Sequence, residues 1–188
     1  MTAINESLKR VEQRSWLAKF CNGFGLDVGC GAQKICSNSI GIDLGTVEGR
    51  KPDLIARAYE LPFPPKSIDF IVSCHLLEHI ADTKRALAEF WRVLKLEGIC
   101  AAVVPHGEEF KNAVWTVEHL SAFTPITLSE FFRACGFEVL GEARFLEEGS
   151  VCWGLSAVKV NRLPRYRPEG EDGLVWLGGK DWLRGRSF

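Results

Sequence analysis

One apolar run carries an acid and then breaks into two glycines: LDVGCGAQK, Leu26 to Lys34, the stretch that most limits what this chain can fold into. Gly29 and Gly31 admit positive φ and let backbone approach a ligand with no Cβ in the way. A second acid, Asp43, closes the apolar run IGIDL. A carboxylate at the end of a strand can accept both hydroxyls of a ribose. Phosphate is the poorer guest, because Asp27 and Asp43 both repel it and GCGAQK lacks the third glycine of GxGxxG. A nucleoside cofactor with a positive group suits the two acids better.

The rest of the chain supplies a frame for that turn. Ile4, Leu8, Val11, Leu17 and Phe20 recur at roughly helical spacing, so residues 4–20 read as an amphipathic helix. Strand-like runs follow at Gly25–Val28, Ile40–Leu44, Asp53–Ala56, Phe70–Ser73 and Cys100–Val104. Leu87, Phe90, Trp91 and Leu94 mark a helix opened by Asp82 and stopped near Gly98. Thr127 and Glu130 make a capping box for another, ended by Gly136. Phe137–Leu146 and Val151–Val160 read as two strands joined by a turn at Glu147, Glu148 and Gly149. The pattern predicts an α/β fold: a doubly wound mixed sheet, mostly parallel, with one antiparallel strand from a C-terminal hairpin. Gly31 and Asp43 are only twelve residues apart, so the first crossover is expected to be a loop or a single turn, not a full helix.

At 188 residues the sequence is most simply one domain, with an N-terminal segment 1–22, a core 23–160 and an extension 161–188. A net charge of −1 gives no reason to expect a nucleic-acid or anionic membrane partner. The opening residues lack the apolar stretch of a signal peptide, and the seven cysteines are odd in number with no CxxC pair. Reduced core thiols and a cytoplasmic location are the expectation.

LDVGCG, IGIDL, LPFPPKSIDFIVSCHLLEHI and FWRVLKLEG, in that order, resemble the class I S-adenosylmethionine-dependent methyltransferases of the small, Rossmann-like, type 11 kind. The resemblance runs from about Gly25 to Phe137, and extends toward Val160. It implies that Asp27, Gly29, Cys30 and Gly31 hold the methionine end of the cofactor. Asp43 would take the ribose hydroxyls, with Leu44 against the adenine. Arg57, Ala58 and Tyr59 would border that ring, and Cys74 and His75 would pass beside the methionine moiety. Arg57 stands where many relatives carry an Asp, so the adenine amino group is expected to be met by backbone and apolar contacts.

The segment His75-Leu-Leu-Glu78-His79 also spells HxxEH, a zinc-protease pattern that would put His75 and His79 on one helical face. No third ligand is evident in the sequence, and the methyltransferase reading already needs a strand-to-helix turn there, so no metal is expected. Of the four histidines, His106 and His119 are the candidates for a catalytic base or substrate anchor. Trp115 and Phe123 are candidate acceptor-pocket walls. The expectation is therefore methyl transfer from S-adenosylmethionine, leaving S-adenosylhomocysteine, to oxygen or nitrogen of a small-molecule or carbohydrate-like acceptor. The alternatives are a non-catalytic cofactor-binding subunit and, behind it, a zinc hydrolase. Apolar residues between Leu174 and Leu183 suggest that the C-terminal extension, or the N-terminal helix, covers an early strand face or the cofactor mouth; contact with a second copy of the chain, a homodimer, is the other reading.

Overall fold

The structure, a computed structural model, describes residues 10–47, 49–107, 119–147, 150–161 and 164–166. Seven strands form one sheet: β1 Gly25–Val28, β2 Ser39–Asp43, β3 Leu54–Ile55, β4 Ile68–Cys74, β5 Leu94–Pro105, β6 Phe137–Glu147 and β7 Ser150–Lys159. Their order is β3-β2-β1-β4-β5-β7-β6. Every pairing among the first five is parallel. Strand β7 runs antiparallel to both neighbours, β5 and β6. The mixed sheet expected from the closing hairpin is the one that forms, and β7 is its antiparallel strand. Its turn at Glu148 and Gly149 lies outside the described residues.

Among the described residues three α-helices flank the sheet: α1 Val11–Ala18, α2 Thr83–Val93 and α3 Pro125–Ala134. Side chains alternate along each strand, so each face has its own core. On one face Leu26, Val28, Ile71, Cys100, Ala102 and Val104 pack with Leu87 and Phe90 of α2 and with Leu128 and Phe132 of α3. On the other, Phe70, Val72, Cys74, Ala101 and Val103 pack with Leu17 of α1, joined by Trp16 and Phe20. The first crossover, 29–38, has no helix, and its Ile35 and Cys36 join α1 in covering this second face. The buried positions of α1 are Gln13 and Leu17. Val11, which fits the helical repeat of the sequence, is half exposed; the part of the predicted helix before residue 10 is outside the described residues.

Three sequence expectations shift. Helix α2 starts at the expected cap, where Asp82 accepts from the Arg85 amide at 3.0 Å, but ends at Val93. Leu94 already belongs to β5, and Gly98 lies in that strand, where a Cβ would meet the Lys95 carbonyl at 2.9 Å. Helix α3 begins three residues before the predicted box: Thr124 is the cap, Thr127 its reciprocal partner, and Pro125 takes the first turn. Proline fixes φ there and gives up an amide with no helical partner anyway. Third, Cys21 and Cys36 form a disulfide, whereas the sequence reading expects only reduced thiols. Without a crossover helix, Cys36 comes down beside the end of α1. The remaining five cysteines take part in no disulfide and are buried.

Candidate active site

The strand order reverses between β1 and β4: the chain leaves β1 toward β2 and β3, then returns to β4 on the other side. Doubly wound sheets bind ligands in the crevice at that point, beyond the carboxyl ends of the strands. A cleft of about 1280 Å³ opens there. Gly29, Cys30 and Gly31 form one wall, Asp43 and Leu44 a second, Arg57, Ala58 and Tyr59 a third, and Cys74 and His75 a fourth. Ten of the eleven residues expected at the cofactor thus meet in one space.

Asp43 joins two of these walls. One carboxylate oxygen accepts from the Gly31 amide at 2.9 Å, and the other from the Leu44 amide at 2.7 Å. The Gly29 amide donates to the Ile42 carbonyl at 2.8 Å, so the glycine turn is tied down on the end of β2. Both glycines hold positive φ, 75° and 58°. A Cβ on Gly29 would strike Leu76 at 2.9 Å, whereas one on Gly31 would meet nothing within 4 Å. The turn therefore faces open space. Leu44, 70% exposed, presents an apolar surface at the same mouth.

Asp27 is the eleventh residue and does not line the cleft. It is 1% exposed and accepts from the Ile35 amide at 2.5 Å, holding the helix-free crossover against β1. Burial pushes its carboxyl up to about 6, against the lowering effect of the Ile35 bond and of Arg14 and Lys34. Cys30 and Cys74 are likewise raised by burial, to about 11 and about 12, so neither is a poised thiolate.

The sequence reading offered the N-terminal helix as one cover of the cofactor mouth but named none of its residues there. Arg10 and Arg14 line the cleft, and Arg14 donates to the Gln33 carbonyl at 2.7 Å. Gln13, fully buried, reaches His75 Nε2 at 2.8 Å and receives the Cys74 thiol at 3.7 Å. The only signal in the sequence was a polar residue, Gln13, on the face that Leu17 marks as inward, four residues away. Arg57 donates to the Tyr59 hydroxyl at 2.6 Å, and Arg85 lies over the same ring, 4.7 Å from its centroid.

The histidines separate into two places. His106 is buried at the end of β5, its amide bonded to the Val151 carbonyl and its ring 6.3 Å from that of Trp153; it does not line the cleft. Phe123 is buried beside it, in a backbone bridge with His106. His119 packs edge-on against His79, centroids 4.8 Å apart, and His79 does line the cleft. His75 and His79 do not share a helical face. His75 adopts φ 55° and turns toward Gln13, while residues Leu77–His79 form a single 3-10 turn. Trp115 lies outside the described residues.

Residues 26–102 match the family model described as "Methyltransferase domain". That stretch, under half of the chain, is similar to methyltransferase domains. Members of this class use S-adenosylmethionine as methyl donor. An uncharacterised protein of Methanocaldococcus jannaschii is 32% identical over 127 residues, 62% of this chain and 49% of its own. A protein of Mycolicibacterium smegmatis named "Probable S-adenosylmethionine-dependent methyltransferase" is 28% identical over 132 residues, 61% of this chain and 51% of its own. The chain thus spans about half the length of these curated relatives. Among solved structures, a Haemonchus contortus phosphoethanolamine N-methyltransferase in complex with phosphomonomethylethanolamine and S-adenosylhomocysteine superposes with a TM-score of 0.62. It is 17% identical, over 80% of this chain and 53% of that one. At that identity the likeness is one of fold. No helix among the described residues is long and apolar enough to cross a membrane.

The site fits an adenosyl sulfonium. Asp43 offers a carboxylate in the cleft lining, the space before Gly31 is open, and Arg10 and Arg14 add two cations to the same lining.

Proposed function

We propose that this methyltransferase domain transfers the methyl group of S-adenosylmethionine to oxygen or nitrogen of a small, carbohydrate-like or similarly polar acceptor. The observation that supports it most is Asp43, whose carboxylate ties the glycine turn to β2 while lining the same cleft as Cys74 and His75. In this reading Asp43 accepts from the ribose, Leu44 and Tyr59 flank the adenine, and Arg14 or Arg10 meets the methionine carboxylate. Arg57 leaves the adenine edge free of a side-chain acid, because its guanidinium is engaged by the Tyr59 hydroxyl. Asp27 acts behind the turn through Ile35, not on the ligand.

When bound, the cofactor supplies an activated methyl on a sulfonium. The chain's own residues provide alignment: the β1 and β4 ends hold the donor from two sides, and proximity of this kind can be worth about 7–11 kcal/mol. A tight, charge-assisted contact is worth about 1.5–3 kcal/mol. Asp43→Ala is therefore expected to weaken S-adenosylhomocysteine binding about 10- to 100-fold by calorimetry, with the variant still folded. An unchanged affinity would remove Asp43 from the cofactor site. A screen of hydroxyl and amine acceptors with labelled methyl donor then separates an enzyme from a binding-only subunit, which would take up cofactor and label nothing.

A further inference from the structure

Glu78 is the odd residue behind the cleft, next to its lining residue His79. It is 1% exposed, and among the described residues neither carboxylate oxygen has a hydrogen-bond partner. His75 Nδ1 stands 3.3 Å from Oε1, and His79 Nε2 stands 3.9 Å from the same atom. A buried carboxylate normally collects two or more donors, because desolvating its charge is costly. Here the acid is aimed instead at a pair of imidazoles. Donor atoms of Glu78, His79 and His119 all lie within 4.8 Å of one another.

The backbone builds this grouping on purpose-made pairings. The amides of Leu120 and Ser121 both donate to the Glu78 carbonyl, at 2.7 and 3.0 Å, which fixes His119 beside the 3-10 turn. Within the turn the His79 amide donates to Leu76, and Thr83 Oγ1 donates to the carbonyls of Leu77 and Ile80. Two segments forty residues apart in sequence are thereby locked together, and what they bring together is two histidines and an acid.

We propose that Glu78, His79 and His119 form a divalent-cation site that meets the cleft at His79, with open coordination positions for an oxygen acceptor. Two imidazole nitrogens and one carboxylate suit zinc and the neighbouring first-row metals, and three protein ligands leave room for a further one. Metal bonds of about 2.0–2.2 Å draw the three donors closer than they stand, a movement that rotation of the exposed His79 ring and the half-buried His119 ring can supply. The sequence pattern HxxEH pointed to His75 and His79; the structure substitutes His119 for His75.

The role of the ion rests on the methyl-transfer reading above. A hydroxyl bound to the cation loses its proton to solvent more readily than a free one. Its oxygen lone pair then forms the new O–CH3 bond as the C–S bond breaks, and the electron pair of the C–S bond stays on sulfur, leaving the neutral thioether. This narrows the acceptor to an oxygen nucleophile, best one with two adjacent oxygens that can chelate.

The test starts with chain stripped by a chelator and titrated with cobalt(II), followed by visible absorption and by calorimetry with zinc. One equivalent per chain is expected, with affinity lowered at least 10-fold in His119→Ala and in Glu78→Gln. S-adenosylhomocysteine affinity should be unchanged in His119→Ala, a ring outside the cofactor walls. Absence of saturable binding, or binding indifferent to both substitutions, overturns the site. Should Glu78→Gln fail to fold, His119→Ala alone decides. The two readings fail separately: cofactor binding without cation binding removes this site only, and cation binding without cofactor binding leaves the site standing and removes methyl transfer. In the acceptor screen, transfer to a catechol or vicinal diol should fall on chelation and return with added metal.

Discussion

Asp27 shows how a single residue records the strain between burial and bonding. Its carboxyl is raised to about 6 from 3.8, burial outweighing the Ile35 amide and the Arg14 and Lys34 charges. A carboxyl whose pKa rises on folding binds more protons folded than unfolded between those values. Its contribution is therefore fully present below about pH 4 and lost as pH climbs through 6. The shift corresponds to about 3 kcal/mol. Urea unfolding of the protein and of Asp27→Asn, compared from about pH 3.5 to 7 so as to bracket 3.8 and 6, should show wild type losing roughly 2–3 kcal/mol against the variant as pH rises. A constant difference would show that Asp27 does not titrate in this window. At this scale the glycines, Asp43 and the β4 end were legible, because strand ends and turns leave strong local marks. Arg10, Gln13 and Arg14 were not: a helix residue's partner across the molecule has no signature in its own neighbourhood.

Elements are held in register by a few polar staples inside the apolar packing. Arg92 of α2 binds Glu89 through Nε at 2.6 Å and through Nη2 at 2.7 Å, and donates to the carbonyls of Phe63 and Leu61 at 2.8 and 2.9 Å. Glu89 in turn accepts from the Leu61 amide at 2.8 Å. Both side chains are buried, and together they clamp the LPFP loop that follows the cleft residues Arg57, Ala58 and Tyr59. Removing one member of such a pair strands the other, at a cost of about 3–5 kcal/mol. Arg92→Ala should lower unfolding stability by that amount in chemical denaturation; a loss under about 1 kcal/mol, the level of an exposed pair, would mean the clamp carries nothing. The element pattern was readable where caps and alternation agree, as at Asp82 and along β6 and β7. It failed where two periods overlap. Leu94 continues the helical stripe of Leu87 and Trp91 yet pairs with Ile68 in the sheet, and the Lys159 ammonium, bonded to the Trp91 and Leu94 carbonyls at 2.7 Å, marks that changeover from a strand no local reading could connect to it.

For the whole molecule, a mostly parallel mixed sheet, a helix-free first crossover and the N-terminal helix as one of two covers for an early strand face were legible, but the bridge between that helix and the crossover was not. That face depends on α1 and on a crossover with no helix, and the two are joined by the Cys21–Cys36 disulfide. Odd cysteine count and apolar flanks argued for free thiols, because pairing depends on a distance the sequence does not contain. The bridge closes a loop of 15 residues, for which restriction of the unfolded chain predicts about 3 kcal/mol. The loop encloses β1 and the glycine turn, so its two ends frame the cofactor wall. Cys36→Ser, or reduction of the wild type, should lower unfolding stability by about 2–3 kcal/mol. The native crossover is also held by Asp27 on Ile35, by Lys34 on Asp53 and by Asn38 on the Cys21 carbonyl. Cofactor affinity should therefore fall less than about 5-fold, under 1 kcal/mol, since these bonds outlast the bridge. Calorimetry with S-adenosylhomocysteine under oxidising and reducing conditions checks this. A collapse of binding on reduction would make the bridge, and not the Asp27 and Lys34 bonds, the support of the turn.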